Sequence, residues 1–155
     1  MNLLDEIKES FREGSTLTRL IYINLGVFLV IRLANVFYFL AGAPFPFLDW
    51  LALPSDFGML ASRPWTLLTY MFLHFDFLHI LFNLLWLYWM GQIFLGYFNQ
   101  EKLVALYLLG GFAGGLFYVA GYNSFPVFSE LVADSRLLGA SASVIAIVTA
   151  LAMYA

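Results

Sequence analysis

The chain contains no cysteine, which removes disulfides, thiolate nucleophiles and cysteine-based metal sites from consideration. Charge is also scarce. Only 11% of the 155 residues are charged, against about 25% in a soluble domain. The seven Lys and Arg residues are scattered and the formal net charge is −3. No nucleic-acid partner is expected from so few, dispersed cations. Disorder and a coiled coil are excluded by the same counts. No Asn lies in a glycosylation sequon. The N-terminal stretch 1–19 sets Asp5, Glu6, Glu9 and Glu13 against Lys8, Arg12 and Arg19, which is not the basic start of a cleaved signal peptide.

What is abundant is apolar. Hydrophobic residues make up 63% of the chain and the mean hydropathy is +0.86. A soluble globule of this size cannot hide that much apolar surface. The composition predicts an all-α, polytopic membrane protein.

Four hydrophobic segments stand out, at about 20–41, 77–98, 103–122 and 137–155. Each approaches the roughly 20 residues that span a hydrocarbon layer as helix. Ahead of them, 1–19 reads as an amphipathic segment. Leu3, Leu4, Ile7 and Phe11 share one helical face, Gly14 fits a stop, and Thr16 or Thr18 could cap the next helix. Between the first two spans, 42–64 is rich in Pro and aromatics (Pro44, Pro46, Pro54, Trp50) and reads as an irregular loop at the membrane interface. Lys8, Arg12, Arg19 and Lys102 fall on one side of the four spans, and Arg63 and Arg136 on the other. That asymmetry predicts a cytoplasmic N-terminus.

Span parity then has a chemical consequence. The second and fourth spans start on the same, outer side. His79 and Asn83 lie one turn apart near the start of the second, and Ser141 lies near the start of the fourth. Polar side chains inside a span are costly and mark function by default. Hydrogen bonding that only joins helices is the plainer alternative. Two His and Asp76 without Cys make a thin metal site, and two His on one short stretch cannot ligate both faces of a haem iron. No metal or other cofactor is expected. Ser141 opens its helix, where unpaired N–H groups favour a developing oxyanion. Its small neighbours Gly139, Ala140 and Ala142 are equally suited to close helix packing. The same packing reading applies to Gly110-Gly111-Phe112-Ala113-Gly114-Gly115, which lacks the Lys-Ser/Thr of a phosphate loop. Arg32, near Asn35 in the first span, reads as a side chain reaching toward the interface.

Three strings together resemble the rhomboid family of intramembrane serine proteases. They are Trp65-Thr66-Leu67-Leu68-Thr69-Tyr70-Met71-Phe72-Leu73-His74, then His79-Ile80-Leu81-Phe82-Asn83-Leu84-Leu85-Trp86, then Gly139-Ala140-Ser141. The resemblance implies a six-helix domain, of which four helices are expected here. It implies Ser141 as nucleophile, and His79 and Asn83 as oxyanion-hole donors together with the serine N–H. Gly139 would be the small residue at the helix approach, and His74 a support for the loop-to-helix junction rather than the base. The family's base is a His on its sixth helix. This predicts that the chain is part of a longer protease and is inactive alone. Its substrates would be transmembrane proteins, in a bacterial inner membrane. A rhomboid-like protein that binds transmembrane clients without cutting them is the alternative. The sequence departs from the family string at Ala142, where a second Gly is usual. It also departs at Leu95–Phe98, which is apolar where the family usually carries charge, and lacks the Trp-Arg pair that some members carry in the first loop.

Overall fold

A computed structural model describes residues 3–154; Met1, Asn2 and Ala155, at the outer limits of the first and last expected segments, lie outside the described residues. Helix α1 (Leu3–Glu13) is followed after a short turn by α2 (Thr16–Leu40). Ser15 caps α2: its Oγ accepts the Thr18 N–H at 3.2 Å, satisfying one of the unpaired donors of a helix start. The first span therefore begins at 16 and not 20, and Thr16 and Thr18 lie inside it. Thr16 instead donates from its N–H (2.9 Å) and its hydroxyl (2.6 Å) to Gln100 Oε1. That pair ties the start of α2 to the start of a later helix.

Two more long helices follow, α6 (Phe77–Tyr97) and α7 (Gln100–Ser124). Asp76 and Asn99 cap them by accepting the Leu78 and Lys102 N–H groups at 3.3 and 2.9 Å. Among the described residues, α2, α6 and α7 are the helices long and apolar enough to cross a membrane. The last helix, α8 (Ser141–Tyr154), has 14 residues.

The segment expected as irregular, 42–64, holds three short ordered elements: α3 (Phe47–Leu51), β1 (Leu53–Pro54) and α4 (Phe57–Ser62). One turn of helix, α5 (Thr66–Thr69), and a 3₁₀ turn at Tyr70–Phe72 lead toward α6. Strand β1 pairs antiparallel with β2 (Arg136–Leu137), Leu53 opposite Leu137 and Pro54 opposite Arg136. This pairing corrects the expected start of the fourth helix. Residues 136–137 are extended, and Gly139 has φ +111°, so the helix cannot begin at 137. The Arg136 Nε to Asp49 Oδ1 contact at 3.5 Å adds a tie across the same junction. Trp50 and Trp65 stack with centroids 5.9 Å apart, and the Trp65 indole N–H donates to the Trp50 carbonyl at 2.8 Å.

Helices α6 and α8 run side by side in the same direction. His79 lies against Gly139 at one end, and Phe98 packs on Tyr154, centroids 4.7 Å apart, at the other. Helix α7 runs back between their ends, and its most extensive contact is with α8. That contact is built from small residues. A Cβ placed on Gly110 would collide with the Cβ of Ala146, and one on Gly114 with the Cβ of Ala142. Spacing of four on both helices lets the backbones approach closely. Gly111 and Gly115 face Met71, Ser143, Leu53 and Tyr70 instead, so the second pair of glycines receives the segment ahead of α6.

A buried polar contact joins α2 and α7 to that segment. The Asn24 amide donates to the Leu20 carbonyl (2.9 Å) and to the Tyr107 hydroxyl (3.1 Å), and that hydroxyl donates to the Met71 carbonyl at 3.0 Å. Asn24 and Tyr107 are fully buried. In a dry interior each such group costs free energy unless paired.

The helix contact makes a prediction. Gly110→Ala should lower the thermal midpoint of the protein in micelles, corresponding to about 1–3 kcal/mol of overpacking. Gly121→Ala, where nothing lies within 4 Å of the new methyl, should leave the midpoint unchanged or raise it, because Ala favours helix over Gly. Equal midpoints for the two variants would contradict the packing account.

Candidate functional site

The site sits where α6 and α8 begin. His79, Asn83 and Ser141 line one cavity of about 350 Å³ between the two helices, with Phe82, Trp86 and Val148 among its apolar walls. The three polar residues singled out from span parity are thus brought to a common space. His79 and Ser141 are half-buried and Asn83 is buried.

Gly139 makes this meeting possible in two ways. Its φ of +111° is left-handed backbone that a side chain would strain. A Cβ there would also lie 2.6 and 2.7 Å from the Cε1 and Nε2 atoms of His79. The imidazole therefore rests on the bare Cα of Gly139. The Gly139 N–H donates to the Tyr70 carbonyl at 2.9 Å, so the 3₁₀ turn ahead of α6 fixes the turn ahead of α8. The Tyr70 hydroxyl in turn donates to the Gly111 carbonyl on α7. Burial pushes that phenol up to about 12, so it stays a donor at neutral pH.

His74 lies at the centre of these ties and is fully buried. Its Nε2 accepts two N–H groups, the Asn83 side-chain amide at 3.2 Å and the Ala140 backbone at 3.2 Å. An acceptor Nε2 places the proton on Nδ1, which lies 3.4 Å from the Phe72 carbonyl. One neutral ring thus links the segment before α6, the first turns of α6, and the residue before Ser141. The His79 ring packs edge-on against it, centroids 5.2 Å apart.

Burial first, and the neighbouring His79 second, lower the His74 imidazole from 6.5 to about 4, against a smaller opposing effect of the Phe72 carbonyl.

The donor geometry differs from the sequence expectation at one point. Asn83 Nδ2 donates to His74 Nε2 and also to the His79 carbonyl at 3.1 Å. Both amide hydrogens are in use within the fold, so a ligand could take one only by displacing a bond. The Ala140 N–H is likewise taken. The N–H groups of the first turn of α8, at 141–143, are those the helix itself does not use. Of these three residues, Ser141 lines the cavity.

Ala142 points away from this space and fills the gap left by Gly114. Ser143 is fully buried against Gly111. Arg32 is exposed and its guanidinium lies over the Phe75 ring, 4.9 Å from the centroid, next to His74 in sequence. Among the described residues no cluster of His, Asp or Glu suited to a metal ion occurs.

Sequence reasoning did not find Tyr70 or the backbone of Ala140. The signal for Tyr70 was a phenol in the apolar run 64–73, where a buried hydroxyl needs a partner. Nothing local marks Ala140, because its contribution is a backbone N–H.

Comparison with known proteins places these residues in a family. The family description "Rhomboid domain" matches residues 61–155, which include His74, His79, Asn83, Gly139 and Ser141. Curated relatives include proteins named "Rhomboid protease GlpG" from Salmonella newport (strain SL254), Salmonella heidelberg (strain SL476) and Salmonella typhi. Each is 35% identical over 82 residues, which is 53% of this chain and 29% of the relative. The match therefore spans less than a third of those relatives' length. No solved structure matches the chain significantly.

The His74 arrangement predicts a pH dependence of stability. Between about pH 6.5 and about pH 4 the unfolded chain binds a proton at His74 that the folded chain refuses. Stability contributed by this group is thus full above pH 6.5 and is lost as pH falls toward 4, by on the order of 3 kcal/mol. Unfolding of the protein in micelles, followed across that range, should show the loss. His74→Gln should remove that part of the slope; an unchanged slope would refute the assignment.

Proposed function

The chain belongs to the rhomboid family of helical membrane proteins, and on that premise we propose that the protein is an intramembrane serine endopeptidase with Ser141 as its nucleophile. The observation that carries this reading is the cavity shared by Ser141, His79 and Asn83 at the start of two parallel helices. A serine at a helix N-terminus gains from the unused N–H groups of that first turn, which stabilise negative charge forming on a bound carbonyl oxygen. In this reading Ser141 Oγ gives its proton to the base and attacks the scissile carbonyl. The peptide C–N bond then breaks, the amine leaves with a proton from the base, and water hydrolyses the resulting acyl-enzyme to the free acid and Ser141. His79, the Asn83 amide and the Ser141 N–H hold the oxyanion. Asn83 does so by swinging one hydrogen away from His74 or from the His79 carbonyl.

The base is assigned to a histidine outside this sequence. His74 is unsuited, because its Nε2 accepts two N–H groups and its Nδ1 faces the Phe72 carbonyl. His79 is placed among the oxyanion donors.

The proposed substrates are membrane-anchored proteins that enter the cavity between α6 and α8, whose walls are apolar. With the N-terminus cytoplasmic, as the distribution of Lys and Arg favours, the site lies near the outer face. Water reaches a site there more easily than at the bilayer centre. A bacterial inner membrane is the proposed location, by likeness to the Salmonella relatives.

A second reading, a rhomboid-like protein that holds transmembrane clients without cutting them, is favoured by one observation. The Asn83 amide is fully engaged inside the fold.

The full-length gene product treated with a fluorophosphonate probe separates the two readings. The protease reading expects labelling that Ser141→Ala abolishes and that Asn83→Ala slows by about 10²–10³-fold, the usual cost of one oxyanion donor. No labelling of the wild type, or equal labelling of Ser141→Ala, would overturn it.

A further inference from the structure

We propose that the corner between α1 and α2 is a binding site for an anionic phospholipid, its phosphate held by Lys8 and Arg12 and one acyl chain lying along α2. The inference is independent of the catalytic reading. A groove of about 1060 Å³ runs between the two helices. Its cationic edge is Lys8, Arg12 and Arg19, and its floor includes Ile23, Gly26 and Leu29.

Three observations give this groove its chemistry. The first is the charge of the lining. Lys8, Arg12 and Arg19 line the groove, with no Asp or Glu among its lining residues. At 100° per residue, Lys8 and Arg12 follow one flank of the face of Ile7 and Phe11, and Glu6 lies on the opposite flank. The one ion pair among the described residues is Arg136 with Asp49, so Lys8, Arg12 and Arg19 face the groove without a carboxylate bound to them. The second is the way the corner is held. Arg19 Nε donates to the Phe11 carbonyl at 3.1 Å and its Nη2 to the Arg12 carbonyl at 2.8 Å. The Tyr22 hydroxyl donates to Ser10 Oγ at 3.2 Å. These bonds fix the end of α1 on the first turns of α2, so the groove is built before any ligand arrives.

The third is the floor. Ile23, Gly26 and Leu29 lie on one side of α2 within a helix long and apolar enough to span a membrane. Nothing lies within 4 Å of a Cβ placed on Gly26, so the glycine leaves an open notch in the stripe. Ile23 and Leu29 are 41% and 51% exposed. A cationic rim above an apolar, notched floor matches a molecule with a phosphate at one end and methylenes at the other. Inorganic phosphate would leave the floor uncovered. A zwitterionic choline lipid carries its own cation against the rim.

The test is retention of lipid by the full-length protein in native mass spectrometry, with thermal midpoints measured in parallel. Probes are phosphatidylglycerol and phosphatidylcholine of identical chains, and inorganic phosphate alone. The expected result is one phosphatidylglycerol retained at least tenfold over phosphatidylcholine, with a midpoint raised by several degrees. The double variant Lys8→Gln/Arg12→Gln should lose the preference between headgroups. Gly26→Leu, which fills the notch and leaves every charge in place, should lose retention of phosphatidylglycerol. Both variants should match the wild-type midpoint in phosphatidylcholine, which shows that the fold is intact. Equal retention of the two lipids by the wild type would overturn the proposal. So would retention unaffected by either variant, or a midpoint rise reproduced by inorganic phosphate.

Discussion

One imidazole nitrogen holds together the three chain segments on which the site depends. His74 Nε2 accepts from the side chain of Asn83 on α6 and from the backbone of Ala140, one residue before Ser141. These partners are 9 and 66 residues away in sequence. A buried ring in this role has to be neutral, because a proton on Nε2 would replace an acceptor by a donor facing two N–H groups. Its full burial supplies that condition, since desolvation disfavours the charged form. The position of Ser141 is therefore coupled to the protonation state of a residue that does not line the cavity with it.

The second constraint is steric. Parallel helices α6 and α8 can share a cavity only if the returning helix α7 takes little room. Gly110 and Gly114 on α7 meet Ala146 and Ala142 on α8 with no side-chain layer between the backbones. Ala142 thereby acquires a role beside its neighbour Ser141: its methyl occupies the space that Gly114 leaves. The departure from the Gly-x-Ser-Gly pattern is matched by a glycine on the facing helix. Gly139 completes the arrangement at the cavity edge, where the His79 ring occupies the place of a missing Cβ.

Much of this was legible in the sequence. The long spans could be read because lipid demands about 20 apolar residues in a row, and α2, α6 and α7 are such runs. Alternation of spans brought His79, Asn83 and Ser141 to one side without any knowledge of packing. The rest depends on non-local pairing. Strand β1 meets β2 more than 80 residues later in the chain, and only that pairing explains why α8 starts at Ser141 and not at 137. The Asn24–Tyr107–Met71 contact joins three elements through groups that look unremarkable one at a time. The Asn83 amide could be identified as a donor from its type, but its present acceptors, His74 and the His79 carbonyl, are known only from the geometry.

The central claim is that His74 is a neutral acceptor joining α6 to the start of α8. Nitrogen-15 NMR of histidine-labelled protein in micelles at pH 7 reads this directly, with His74 assigned by its loss in His74→Gln. The account predicts a neutral ring with its proton on Nδ1 and a hydrogen-bonded, unprotonated Nε2. A His74 protonated on Nε2 at that pH, as the other tautomer or as the imidazolium, would contradict it.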